Sequence, residues 1–259
     1  MRMMKKVLGT VTVLALSVSL LAGCGSTAAS PVSSAASTAA ESTTSSVVSE
    51  TTSAAADENV AAAAQLLNDL TGSYQELWPV ILSDEYQQTW LDDCTALVGE
   101  ENAEAAFEKL SSMVTSDVYG EDAVEAYANG GGAYFCGFTN SLAILTFDGE
   151  TSTISGTDKD GNVLFSHTYH YIGMEPVRGL YEFQSDDADS GEFTYFFLAP
   201  DTSAETYHIE FRYGSDADAL SQYDAGDYAY WLASGISTDC DQTMIDNCIE
   251  LFCTENLAG

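Results

Sequence analysis

The chain has 259 residues, of which 40 are acidic and only 7 are basic, so its formal net charge is −33. A surface of this charge repels nucleic acid and anionic lipid headgroups, and we expect neither as a binding partner. The charge keeps the chain soluble and attracts divalent cations weakly. A solvated acidic surface without a binding role is the simpler interpretation.

The first residues have the pattern of an export signal. Arg2, Lys5 and Lys6 precede an uncharged apolar stretch at residues 7–20, which is too short to span a bilayer comfortably. The stretch ends in Leu-Ala-Gly-Cys at residues 21–24, which resembles the lipobox of bacterial lipoproteins. We therefore predict a signal peptide at residues 1–23 and a lipid on Cys24 that anchors the chain to the cell membrane outside the cytoplasm. The alternative is an ordinary signal peptide with a chance cysteine.

The segment after Cys24 is composed mainly of Ser, Thr and Ala and contains almost no large side chains. Such a segment buries too little apolar area to offset the entropy of ordering it. We expect residues 24–57 to form the lipidated cysteine and a flexible linker, and residues 58–259 to form a single folded domain. Removing the signal would remove three of the 7 basic residues, which leaves a mature net charge of 4 − 40 = −36.

Five cysteines remain in the folded part: Cys94, Cys136, Cys240, Cys248 and Cys253. Outside the cytoplasm pairs of these oxidise readily, and the odd number leaves at least one of them free. On a helix, Cys240 and Cys248 lie about two turns apart, beyond the reach of a bridge. We expect Cys94 or Cys136 to pair with one of the C-terminal three, and the pairing stays open.

Apolar residues recur with helical spacing in the first half of the domain, and they alternate with polar residues in the second half. Helices are predicted at residues 59–70, 74–82, 86–97, 101–114 and 238–253. Strands are predicted at residues 134–138, 142–148, 151–157, 163–172, 179–184, 193–199 and 205–213. The glycines at 130–132 separate the two regions, and Asp160-Gly161 is a typical hairpin turn. The fold class is α+β, mainly β, with an antiparallel barrel or sandwich flanked by N-terminal helices and a C-terminal helix.

The three histidines are the most informative polar residues. His167, His170 and His208 all fall in predicted strands. Alternation places His167 on the more apolar face with Phe165, and it places His208 on the polar face with Glu210. The chain lacks a phosphate loop, a nucleophile elbow and any recognisable acid–base constellation, so we expect no enzyme. The acidic segments at residues 158–161 and 187–191 lack the full spacing of calcium loops and are predicted as turns.

Several segments resemble, in their order, those of the ZinT family. They are HTYHYIG (residues 167–173), VRGLYEF (177–183), DADSG (187–191), LAP (198–200), AETYHI (204–209) and, upstream, LTGSYQELWP (70–79). The resemblance covers roughly residues 70–237. It implies a calycin-like (lipocalin-like) barrel, an exported zinc-binding protein, and cooperation with the binding component of a zinc ABC importer.

The family resemblance also implies a zinc site at the barrel mouth, formed by three histidines. Matched position by position, His208 is one of these ligands and looks into the site, whereas Thr206 replaces the second and Phe196 or Phe197 replaces the third. Zinc requires more than one imidazole, so the site is degenerate relative to the family.

We therefore expect zinc or another divalent metal at His208, with His167, Glu205 or Glu210 as compensating ligands. The alternative is a metal-free barrel that binds a small ligand or a partner protein at a mouth lined by Phe196 and Tyr207.

Overall fold

The computed structural model describes the backbone of residues 47–258 and the side chains of residues 58–258. The predicted signal peptide, Cys24 and the linker up to residue 46 lie outside the described residues. The first described element, helix α1 (Val47–Asp69), begins inside the segment that we predicted as linker. The domain boundary at residue 58 therefore falls within a helix. Alanines at residues 54–56 have the highest helix propensity of any residue and extend the helix through the Ser/Thr-rich sequence.

The segment at residues 74–82, predicted as a helix or helical turn, divides into two elements. Strand β1 (Gly72–Glu76) comes first and helix α2 (Leu77–Ile81) follows directly. The helical prediction was wrong for the first part because pairing with two neighbouring strands overrides the local pattern. Pro79 lies in the first turn of α2, where the missing amide hydrogen costs nothing.

The remaining helices partly match the predicted ones. They are α3 (Gln87–Val98), α4 (Ala103–Ser112), α5 (Glu121–Ala128), α6 (Ser203–Thr206), α7 (Ala217–Leu220) and α8 (Gln242–Leu257). The predictions for α3, α4 and the C-terminal α8 are confirmed within a few residues. Helices α5, α6 and α7 were not predicted. Asp241 begins α8 by accepting a hydrogen bond from the amide of Met244.

Eight antiparallel strands form a closed barrel in simple chain order. After β1 they are β2 (Ile144–Asp148), β3 (Thr153–Thr157), β4 (Val163–Met174), β5 (Tyr181–Ser185), β6 (Tyr195–Leu198), β7 (Ile209–Gly214) and β8 (Ala233–Ser237). The expected antiparallel barrel with flanking helices is confirmed. Residues 134–138 do not form the predicted strand, since only isolated bridges at Phe135 connect this segment to its neighbours.

The barrel closes because β1 pairs with β2 on one side and with β8 on the other. Tyr74 lies opposite Leu145 in β2 and opposite Ser237 in β8. The interior is filled with aromatic rings, among which Phe196, Phe211 and Tyr213 are fully buried. The ring centroids of Phe196 and Tyr213 are 5.3 Å apart and the rings are nearly parallel. The interior is thus a packed aromatic core.

A second core lies outside the barrel between the helices and one wall of the sheet. It contains buried residues of α2, α3, α4 and α8 together with Ile236 of β8. Trp90 of α3 is fully buried, and its indole nitrogen donates to the carbonyl of Ile81 at 2.7 Å. Helix α8 therefore packs against the outer surface of the barrel. None of the helices in residues 47–258 has the length and apolar character needed to cross a membrane.

Arg212 of β7 is fully buried on the outer side of the barrel wall. Its guanidinium donates to the backbone carbonyls of Leu220 and Tyr228, and its Cζ lies 4.3 Å from the ring centroid of Tyr223. Carbonyl oxygens and an aromatic face thus compensate the buried charge. The planar guanidinium of Arg212 thus connects the end of α7 and the following loop to the barrel wall.

We predict that Arg212→Lys lowers the free energy of unfolding by about 3 kcal/mol, because one ammonium cannot reach carbonyls on both sides and leaves buried acceptors unpaired. Urea unfolding followed by intrinsic fluorescence measures the change. Lys109→Ala, at an exposed position of α4, is the control and should change stability by less than about 0.5 kcal/mol. An Arg212→Lys protein as stable as the parent would contradict this assignment.

Candidate functional site

His208 lies in the turn between α6 and β7, and the backbone of this turn determines its orientation. Tyr207, which ends α6, adopts a left-handed conformation with φ of 66°. The chain therefore reverses sharply, so that Thr206 and His208 face each other. The hydroxyl of Thr206 donates to the carbonyl of His208 at 2.7 Å, and Nδ1 of His208 donates to the carbonyl of Thr206 at 2.7 Å.

These contacts define the tautomer of His208. A carbonyl oxygen only accepts hydrogen bonds, so Nδ1 carries a proton. In the neutral ring the lone pair is then on Nε2, which lies 3.8 Å from Oε1 of Glu210. An imidazole whose Nδ1–H is held by a backbone carbonyl and whose Nε2 is free is the usual arrangement of a metal-ligating histidine.

His208 and Glu210 interact electrostatically when both are charged. Burial lowers the pKa of His208, but the neighbouring Cys248 and Glu210 outweigh burial and raise this pKa well above its ordinary value. Burial raises the pKa of Glu210, but the facing His208 outweighs it and lowers this pKa below its ordinary value. Without a metal, both shifts favour the charged pair, an imidazolium beside a carboxylate.

Three further side chains of types that can bind a metal interact with this pair. The sulfur of Cys248, on α8, lies 4.0 Å from Nδ1 of His208. Asp201 and Glu255 are exposed; desolvation raises the pKa of both, and the charge of Glu210 raises it further while His208 lowers it. Both carboxylates thus lie close enough for their charges to act on the pair. No group of three ligands is preassembled in the described part of the chain.

His167, the predicted partner ligand, lies elsewhere. Its ring faces inward as predicted, since its side chain is only 15% exposed and lies beside Phe165, with ring centroids 5.9 Å apart. Its Nδ1 contacts Oδ2 of Asp187 at 2.7 Å.

The strand register separates the two imidazoles. His208 adjoins the first residue of β7, whereas Gly214 at the far end pairs with Tyr195. Tyr195 in turn pairs with Gln184 of β5, beside the Asp187 turn. His167 and His208 therefore lie at opposite ends of the barrel, and the expectation that they share a site was wrong. The alternation of polar and apolar residues along a strand shows which face of the sheet a residue lies on. It does not show where the residue lies along the barrel axis.

The other expected contributors to the site also differ from the prediction. Glu205 is exposed on α6, and no hydrogen bond or ion pair of its side chain occurs among the described residues. Phe196 and Phe197 are fully buried, and Phe196 packs within the aromatic interior of the barrel. The imidazole of His208 contacts Cys248 of α8 and does not point into the barrel. The alternation of polar and apolar residues along the strand predicted this orientation, whereas the family resemblance predicted an inward one.

Nothing in the sequence indicated Asp201 or Glu255 as candidate ligands. Glu210 follows His208 by two positions and shares its face of the strand, so the spacing had already indicated it as a candidate ligand. Asp201 follows the Ala-Pro turn, and Glu255 lies on a helix that is distant in sequence. Only the contact of α8 with the turn before β7 brings Cys248 and Glu255 to this end of the barrel.

Comparison with solved structures finds a related architecture. The Zn(II)-bound ZinT-like domain of Streptococcus pneumoniae AdcA is 14% identical, with a TM-score of 0.45, and the match covers 71% of this chain and 89% of that domain. The chain is similar to a ZinT-like domain. This is the family that the sequence motifs resemble.

The Zn(II)-bound AdcA of the same organism is 13% identical, with a TM-score of 0.42, and the match covers 70% of this chain and 34% of AdcA. The chain thus spans about a third of the length of AdcA. No family model and no curated protein matches the sequence.

The His208–Glu210 pair predicts a specific pH dependence of stability in metal-free buffer. The folded pKa of His208 is raised above the unfolded value of about 6.5, so the pair stabilises the fold fully below that pH. The contribution is lost as pH rises through the folded pKa. We expect a loss of about 1 kcal/mol above pH 6.5, because solvent screens the 40% exposed Glu210.

Urea unfolding with EDTA at several pH values measures this loss. His208→Ala and Glu210→Gln should both abolish it, and Glu205→Gln should leave it unchanged. An unaltered pH profile in His208→Ala would show that the imidazolium does not stabilise the fold.

Proposed function

We propose that this domain binds a divalent transition metal ion, zinc in particular, at the end of the barrel where β7 begins. His208 is the primary ligand and Glu210 the second. The site is degenerate relative to the family that the sequence resembles, since one imidazole stands where that family has three.

The geometry of His208 carries the proposal. Zinc lies about 2.0–2.1 Å from an imidazole nitrogen and about 2.0–2.2 Å from a carboxylate oxygen, so two such bonds span at most about 4.3 Å. The distance of 3.8 Å between Nε2 of His208 and Oε1 of Glu210 is within this span and too long for a direct hydrogen bond. The backbone already orients the ring through Nδ1.

Two ligands are insufficient for tight binding, so the remaining positions must be filled locally. Asp201 and Glu255, whose charges act on the pair, are the candidates, and water completes the shell. Because these side chains are not preassembled, they must reorient on binding, which lowers the affinity. Protons compete for Nε2, and we expect binding to weaken as pH falls.

We further propose that the chain is a lipoprotein anchored to the cell membrane through Cys24, outside the cytoplasm, and that it delivers metal to the binding component of a zinc ABC importer. The lipobox at residues 21–24 supports the anchor, and the ordered ZinT-like segments support the transport role. The alternative is a metal-free barrel that binds a small ligand or a partner protein at its mouth. The aromatic rings that fill the interior disfavour a ligand inside the barrel.

Calorimetric titration of the metal-depleted protein with Zn²⁺ tests the proposal. We expect one site with a dissociation constant on the order of 1 µM near neutral pH, and His208→Ala and Glu210→Gln should each weaken it at least tenfold, or by about 1.4 kcal/mol. Mg²⁺, which prefers an octahedral shell of oxygen ligands, should give no comparable heat.

The other two histidines provide matched controls. His170 is 52% exposed and contacts Asp186, and His167 lies at the opposite end of the barrel. Changing either to alanine should leave the zinc affinity unaltered. The absence of binding in the parent, or equal binding by His208→Ala, would contradict the proposal and favour a metal-free barrel.

A further inference from the structure

Helices α3 and α8 bring two cysteines together in the second core. The sulfur atoms of Cys94 and Cys253 lie 3.9 Å apart, and both residues are fully buried. They are 159 positions apart in the chain, so only the packing of the N-terminal helices against the C-terminal helix makes this contact. Buried thiols are common, but two in contact can be oxidised to a disulfide if the chain is exported, as we propose above.

The other cysteines of the described residues have different surroundings. Cys136 lies beside Trp78 and Ser234, and Cys248 lies beside His208. Cys240 is only partly buried. None of these three has a sulfur–sulfur contact of 4.0 Å or less within residues 58–258, so the fold favours one pairing over the others.

We propose that Cys94 and Cys253 form a disulfide that joins α3 to α8 once the chain is outside the cytoplasm. The oxidant is a small or protein disulfide. One thiolate attacks it to give a mixed disulfide and releases a thiol, and the second thiolate then displaces the other thiol. Two protons and two electrons leave the cysteines and reduce the oxidant.

The first exchange takes place before the helices are fully packed, and the second follows as packing brings the two sulfurs into contact. Burial raises the pKa of Cys94 and of Cys253 in the folded chain, which suppresses the reactive thiolate. Both thiols are accessible in the unfolded chain, and folding selects this pair by placing the sulfurs in contact. The sulfurs then have to approach from 3.9 Å to the bonding distance of about 2.05 Å through rotation of the side chains. The bond closes a loop of most of the domain, so it restricts the unfolded chain strongly.

Refolding in a buffer of oxidised and reduced glutathione tests the proposal. The protein carries Cys24→Ser, and EDTA is present, so that neither lipidation nor bound metal affects the thiol count. We expect the free thiols to fall from five to three, and peptide mapping to find Cys94 linked to Cys253. The oxidised protein should unfold on the order of 10 °C higher than the reduced one.

Variants in which one cysteine is replaced by alanine show whether the thiol loss and the stabilisation come from the Cys94–Cys253 disulfide. Cys94→Ala and Cys253→Ala should each retain all four remaining thiols and lose the shift in unfolding temperature, whereas the buried control Cys136→Ala should still lose two thiols. Five titratable thiols in the parent, or a link between another pair, would overturn the proposal. Neither result depends on zinc binding, which is measured separately through His208.

Discussion

The pairing of β1 with β8 is the constraint on which the rest of the structure depends. It joins residues near the start of the domain to residues near its end, with Tyr74 opposite Ser237. This pairing closes the sheet and removes its edges, and it encloses the aromatic interior. It also determines the positions of the flanking helices, since α2 follows β1 directly and α8 follows β8 after a short turn. The second core forms because closure of the barrel brings these helices together.

The candidate site lies at the junction of these two cores. Ile209 and Phe211 belong to the barrel interior, while Cys248 belongs to the helical core. His208 lies between them, held by the carbonyl of Thr206 through the sharp turn at Tyr207. This position keeps the imidazole mostly shielded from water yet beside the acidic surface. When no metal is present, the positive charge of protonated His208 attracts the carboxylate of Glu210, so the proposed metal would have to displace that proton.

Six of the eight strands and the long helices were predictable from the sequence, because alternation and amphipathic spacing are local signals. Strands β1 and β8 were not predicted. The segment around Tyr74 has helical spacing, and β8 contains Ala233, Ser234 and Gly235, which are poor strand formers. Both become strands because the neighbouring strands supply their hydrogen bonds. The two strands that close the barrel are thus those that depend most on tertiary structure.

The candidate site was predictable in part for a similar reason. The order of motifs identified His208, and spacing along one strand identified Glu210. No local pattern indicated that His167 lies at the other end of the barrel, or that Cys248 and Glu255 reach His208 from α8. The outward orientation of His208 followed from alternation, whereas matching positions to the family pattern predicted the opposite. Local alternation within a strand was the better guide at this position.

The central claim is that His208 and Glu210 share a metal ion. The most direct test is anomalous scattering at the zinc absorption edge from crystals of the protein grown with zinc. We predict a single strong peak about 2.1 Å from Nε2 of His208, with Glu210 in the same coordination shell. A peak found only beside His167 and Asp187 or beside His170 and Asp186, or no peak at all, would contradict the claim.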